Sequence, residues 1–194
     1  GFQSEWKSTM ERQLLAISPK ARLLSVDYGK NPKDYQAAPI KITFRYEIPD
    51  YALKGEGEMF FRPMVMNNLY NQVRSYMWID TSVENRKYGF KDACSRLVEL
   101  DETVQLPAGY KLVSAVKDET MQGVGADFEG SLVQKGNKVL LHNRLALKKR
   151  VYEASDWESF RNAVNAHKAY GEYLVIKKSV SYTHLRAHET RSNL

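Results

Sequence analysis

Cysteine is almost missing: Cys94 is the single one in 194 residues. One thiol excludes an internal disulfide framework and any cysteine-rich metal site, and it leaves the compartment open. Histidine is scarce too, at four, and His184 and His188 fall in a C-terminal segment set aside below. No apolar run approaches the ~20 residues that a membrane-spanning helix needs, so no membrane span is expected. Phosphate-cradling glycine patterns are also lacking. Gly123-Val124-Gly125 has neither the full glycine spacing nor a following Lys-Ser/Thr, and it does not join a strand to a helix. It reads as a flexible turn. There is no internal repeat and no low-complexity stretch.

What is present is the material of a folded domain. Hydrophobic residues make up 43% of the chain, enough for a packed core, and the mean hydropathy of −0.53 fits a soluble protein. The length suggests one domain or two small ones. The net charge of +6 is spread along the chain, and its densest cluster is Lys148-Lys149-Arg150. A nucleic-acid binder would want a longer stripe with aromatics interleaved at stacking positions. Lysines on edge strands and loops often serve only to block sheet-to-sheet aggregation, so we read a solvated surface and expect no nucleic-acid partner.

Apolar periodicity predicts mainly β structure between two helices. Trp6, Met10, Leu14 and Ile17 share one helical face over 4–17, and Pro19 ends that helix. A strand is expected at 21–28. Ile40, Ile42, Phe44, Tyr46 and Ile48 alternate with polar residues, the pattern of a half-buried antiparallel strand. Another strand is expected at 56–62, then a loose helical segment at 64–78 and a loop crossing between sheets at 80–92. The stretches 97–106 and 110–116 read as a hairpin around Pro107-Ala108-Gly109. A second hairpin joins 127–134 to 138–148 around Gly136-Asn137. The closing helix, 155–170, shows a capping box in Ser155 and Glu158. Its apolar face is Trp157, Phe160, Val164 and His167, and Gly171 suits a left-handed cap. A short strand follows at 173–177.

Few residues along this frame could carry chemistry. Cys94 falls between a loop and a strand, without the nearby base or helix N-terminus that activates a thiol. His142 faces away from Leu141 and is expected to be exposed or at a sheet edge. His167, on the apolar helix face, reads as a packed, hydrogen-bonded histidine. Neither is expected to pair with Cys94. Asp118 and Glu119, adjacent on a strand, point to opposite faces and cannot act together as acid and base. Glu99, Asp101 and Glu102 read as the wet side of a strand. Tyrosine is abundant, at 12. Its amphipathic rings suit either a carbohydrate or peptide platform or ordinary β packing. No catalytic, metal or cofactor residue is nominated.

Two resemblances complete the reading. Val180–Thr190 (VSYTHLRAHET) resembles one reading frame of a transposase adapter used in shotgun DNA libraries. We therefore read Val180–Leu194 as translated adapter plus barcode, an artefactual or disordered tail excluded from the fold. The chain also opens at Gly1 without an initiator Met, and both ends read as cuts in a longer gene. The second resemblance lies in RKYGF (86–90), LPAGYKL (106–112), GNKVLLHNRLALKK (136–149) and YEASDWESFRNAVNAHKAYGEYLVIKK (152–178). In that order and spacing they resemble the C-terminal region of transglutaminase-like proteins of Gram-negative envelopes. ERQLLAISPKARLLSVDYG and APIKITFRYEIPDYALKGEGEMFFRP are similar to the stretch after the enzyme core in the same proteins.

That resemblance implies a papain-like core upstream and a periplasmic or otherwise extracytoplasmic location. Nothing in this chain matches the core, so no catalytic residue carries over. The expectation is one accessory domain over 1–179, an antiparallel β-sandwich of about eight strands with two peripheral helices. It would be non-enzymatic and would partner a transglutaminase-like catalytic domain of the parent chain. The alternative is an independent envelope module that binds a glycan or peptide.

Overall fold

The computed structural model describes residues 2–29, 39, 41–67, 79–113 and 118–180. Among these the protein is mainly β, with antiparallel sheets and two long helices. Helix α1 (Phe2–Ile17) lies on the hairpin of β1 (Arg22–Asp27) and β2 (Thr43–Glu47). Leu14 of α1 and Ala21 are buried there. The expected strand at 40–48 is thus shorter, and Ile40 lies outside the described residues.

Eight strands form two four-stranded sheets. One has the order β6 (Arg96–Gln105), β10 (Lys138–Leu147), β9 (Ala126–Lys135), β8 (Glu119–Gln122). The other has the order β3 (Leu53–Gly55), β4 (Glu58–Phe61), β12 (Leu174–Lys178), β7 (Tyr110–Leu112). A ribbon of β5 (Phe90–Lys91) and β11 (Val151–Tyr152) sits at one end. Helix α3 (Trp157–Ala169) packs on β9 and β10.

Alternation decides which face goes inward. On β10, Val139, Leu141, Asn143, Leu145 and Leu147 are all buried, and across β9 they face Gln134, Leu132, Gly130, Phe128 and Ala126. Val98 and Leu100 of β6 continue this face beside Leu145 and Asn143. Phe160, Ala163 and Val164 of α3, each without solvent exposure, cover it together with Leu174, Ile176 and Phe61 of the second sheet. The second helix therefore does more than flank the sheets: its apolar side completes the core. The turn between β9 and β10 uses Gly136 at φ +61°, a left-handed conformation that glycine adopts without the Cβ penalty.

Three local expectations are corrected. The strands 97–106 and 110–116 do not pair with each other: β6 pairs with β10, whereas β7 pairs with β12 of the other sheet. Gln134 explains how β7 tolerates this. Its carboxamide accepts the Leu112 N–H at 2.7 Å and donates to the Tyr110 carbonyl at 3.4 Å, standing in for a strand partner and stitching the two sheets together. Second, Ser155 is exposed and does not cap the helix. A 3-10 turn over Ala154–Asp156 leads into α3, and Asp156 Oδ2 accepts the Glu153 N–H at 2.8 Å. Lys149 already holds Asp156, at 2.8 and 2.9 Å, which fixes its carboxylate for that role. Third, Gly171 is not among the left-handed glycines. The helix closes with tighter bonds, Tyr170 N–H to the His167 carbonyl at 3.3 Å and Gly171 N–H to the Lys168 carbonyl at 3.0 Å. Of the helical segment expected at 64–78, the single turn α2 (Met64–Asn67) is described. Residues 68–78 lie outside the described residues.

Candidate binding groove

The sequence blocks RKYGF and YEASDW fold against each other. Arg86 stacks over Phe90 at 4.8 Å and over Trp157 at 4.5 Å. Phe90 stacks on Tyr152 with centroids 4.7 Å apart, and both meet Phe160 edge-on. Trp157 Nε1 donates to the Val83 carbonyl at 2.9 Å, and Arg161 Nε donates to the Thr81 carbonyl at 2.8 Å. Gly89 is forced by contact, because a Cβ there would lie 2.5 Å from the Tyr152 carbonyl oxygen. These blocks build a clasp that fastens the 79–92 loop onto α3.

The chemistry-bearing residues are scattered. Cys94 is exposed just before β6. His167 has no solvent exposure and meets Asn143 Oδ1 at 2.6 Å, the packed, hydrogen-bonded histidine expected. His142 lies on the outer face of β10, a central strand rather than an edge, and pairs with Asp101 at 2.7 Å. Asp101 is five residues beyond Arg96 on an extended strand, about 16 Å along the sheet, so Cys94 and His142 do not meet. Glu99 and Asp101 face solvent as expected, with Arg144 Nε bonded to Glu99 at 3.1 Å. Glu102 departs from its neighbours. It is half-buried on the inner face, and it accepts the backbone N–H groups of Met64 and Val65 at 2.7 and 3.1 Å. The first turn of α2 presents free amides there, and a carboxylate satisfies them.

The basic corner is engaged from within. Lys148 bridges Asp127 at 2.8 Å and the Gly123 carbonyl at 2.9 Å, and Lys149 holds Asp156. The Lys148 hydrogen bond draws the Asp127 carboxyl below its ordinary value, and the Lys149 bond does the same for Asp156, helped by the Glu153 N–H. Burial, with Asp118 and Glu119 nearby, pushes the Tyr170 phenol up to about 12. Burial also raises Tyr152. The tyrosines do not assemble into a sheet-face platform among the described residues. Tyr152 and Tyr170 are in the core, Tyr173 lies under Arg62 at 4.7 Å, and Tyr88 projects from a loop.

A concavity of about 740 Å³ lies between β8 and α3. Its floor is Met121 and Ala126, and Ser155, Glu158, Ser159 and Asn162 form the helical wall. Gly123 closes one end: a Cβ there would sit 2.5 Å from the Ser159 Cβ. Beyond the groove Tyr170 lies against Gly130, the partner of Glu119, so the helix runs antiparallel to β8. Sequence reasoning missed this wall. Its signal was the polar spacing 155, 158, 159, 162 on the side of α3 away from Phe160 and Val164. A second cleft, about 420 Å³, opens at the edge of the two sheets over Met59, Phe61, Leu106 and Ile176. No group of three or more His, Cys, Asp or Glu suited to a metal ion occurs among the described residues.

A domain of unknown function with solved structure, DUF3858, matches residues 57–176. That is more than half of the chain, and the protein belongs to this family. The matched residues include both four-stranded sheets apart from β3 and the last two residues of β12, and all of α3. The crystal structure of a protein from Parabacteroides distasonis described as a "putative protease" is similar at 15% identity and a TM-score of 0.49. The similarity covers 63% of this chain and 24% of that one, so the chain spans about a quarter of that protein's length. No curated protein matches the chain.

Proposed function

We propose that this is a non-catalytic accessory β domain of a transglutaminase-like envelope protein whose papain-like core lies upstream. The observation that carries the reading is where the resembling sequence blocks go. RKYGF, GNKVLLHNRLALKK and YEASDW build the clasp and the central hairpin, with Cys94 on the surface and His167 buried against Asn143. They serve packing rather than a nucleophile. The cleft over Met59, Phe61, Leu106 and Ile176 offers apolar surface to an adjoining domain. The envelope resemblance supports a periplasmic location.

The test is to recover the upstream coding sequence and purify the encoded protein with and without residues 51–178. The expected result is a core with its cysteine and histidine, whose melting temperature or turnover falls when the β domain is removed. An unrelated upstream domain, or a core indifferent to the deletion, overturns the reading.

A further inference from the structure

We propose that the outer face of the sheet of β3, β4, β12 and β7 docks flat on an anionic phospholipid surface. This goes beyond the accessory role and holds whatever domain lies upstream.

Register fixes what that face carries. Phe61, Leu174 and Ile176 are buried in the core, with Met59 and Leu112 packed against it, so the residues alternating with them point outward. Leu53, Phe60, Val175 and Val113 therefore form one apolar row across all four strands. Leu53 pairs with Phe60, Phe60 with Val175, and the Val113 N–H bonds the Val175 carbonyl at 2.9 Å. Leu53 and Val113 are 58% and 52% exposed, and Phe60 and Val175 are half-buried. On one side of the row Tyr173, 47% exposed, lies under Arg62 at 4.7 Å. On the other side Lys177 stands between Glu58, its partner at 3.2 Å, and Lys111. Lys111 has no ion-pair partner among the described residues, and lysines directly opposite on neighbouring strands repel.

Charge points to the occupant. Within these strands and their ends Arg62, Lys111 and Lys177 share the outer face with one carboxylate, Glu58, so the face asks for negative charge. A second copy of the chain would bring the same cations to the contact. The outer face of the sheet of β6, β10, β9 and β8 differs, because Glu99, Asp101 and Glu129 stand among its cations. Size separates lipid from protein. Four strands, the longest of five residues, give a footprint of at most about 14 by 17 Å, or about 240 Å². A stable protein interface buries roughly 800 Å² a side. A bilayer sets no such threshold and asks for no matching shape. Exposed apolar side chains enter the headgroup boundary while lysines and arginines meet the phosphates, each cation strengthening binding about fivefold. Tyr173 and Arg62 suit the headgroup level, where amphipathic rings and basic side chains gather. The cleft over Met59 and Ile176 opens on the inner side of the same sheet and stays clear of the lipid.

The experiment is flotation of the 194-residue chain at low salt with vesicles of phosphatidylcholine, alone or mixed with phosphatidylglycerol. The chain is expected to float with the anionic vesicles only. Lys111→Glu with Lys177→Glu should weaken that binding about 25-fold or more. Leu53→Ser with Val113→Ser, both at exposed positions, should weaken it several-fold at an unchanged melting temperature. Lys135→Glu with Lys138→Glu makes the same charge change at another exposed cross-strand pair and should leave most of the binding in place. No flotation with anionic vesicles, equal losses from the two lysine pairs, or binding indifferent to the serine pair would each overturn the proposal. So would retention on poly-L-glutamate as tight as on the vesicles, which would assign the face to an acidic protein surface instead. None of these results depends on the identity of an upstream core.

Discussion

Asn143 of β10 and His167 of α3, both without solvent exposure, meet at 2.6 Å in the middle of an otherwise apolar core. The contact ties the helix to the sheet, because a hydrogen bond between two buried groups is stronger in the low-dielectric core than in water. Removing one member takes a buried hydrogen bond from the other, at about 1–3 kcal/mol. His167→Leu and Asn143→Leu should each lower the urea midpoint accordingly. The double replacement should lose clearly less than the two single losses added, since both single changes remove the same hydrogen bond. Full additivity in the denaturation curves would show that the pair is not coupled.

Gly130 lies opposite Asn143 in the register. A Cβ on it would approach the Tyr170 ring to 2.6 Å and the Phe128 ring to 2.7 Å. Gly130→Ala should therefore cost about 1–3 kcal/mol through overpacking. Gly136→Ala meets nothing within 4 Å but must adopt φ +61°, a cost of about 1 kcal/mol. The two changes should be told apart by the near-UV spectrum: Gly130→Ala should alter the tyrosine bands and Gly136→Ala should leave them intact.

Acid should unfasten the start of α3. The Asp156 carboxyl lies below its ordinary 3.8, through the Lys149 hydrogen bond and the Glu153 N–H. A carboxyl depressed by folding contributes stability that is present above the ordinary value and lost as pH falls through the depressed one. Asp156→Asn should lower stability at neutral pH by about 1–2 kcal/mol. It should also make stability less dependent on pH below about 4. An unchanged acid limb in the mutant would rule this out.

Alkali should act through Tyr170. Its phenol is pushed up to about 12, chiefly by burial. The folded state therefore keeps a proton that the unfolded chain releases from pH 10 upward, so stability is full below that point and declines as pH rises through about 12. Tyr170→Phe should remove that part of the alkaline decline. Phenolate absorbance at 295 nm should show one late-titrating tyrosine fewer.

Long period-two stripes were readable because they answer to one rule, that alternate side chains of a half-buried strand face the core. The hairpin of β9 and β10 follows from it, and the burial of Trp157, Phe160, Val164 and His167 follows from the companion rule that residues three and four apart share a helix face. Pairing between distant strands was not readable. The turn at Pro107-Ala108-Gly109 resembles any tight hairpin turn, and its strands part because a side chain, Gln134, comes from 22 residues beyond Leu112 to satisfy β7. Glu102 misled in a similar way: its neighbours are acidic and wet, and its inward turn depends on the amides of α2, contributed by residues 37 and 38 positions earlier. The groove was hidden for a further reason. Its two walls, 121–124 and 155–162, come from separate stretches of the chain, and no local pattern brings them together.

Strand β12 has the last word on how this protein is made. It spans Leu174–Lys178 yet sits inside its sheet, between β4 at 58–61 and β7 at 110–112. On a ribosome both neighbours emerge first and must wait, facing each other across a vacant slot, until nearly the whole domain has been synthesised. Closure over such sequence distances is slow, and until then apolar residues such as Phe61 and Leu112 lack their cover. A polypeptide released a few residues early would be left with two half-sheets and no keystone.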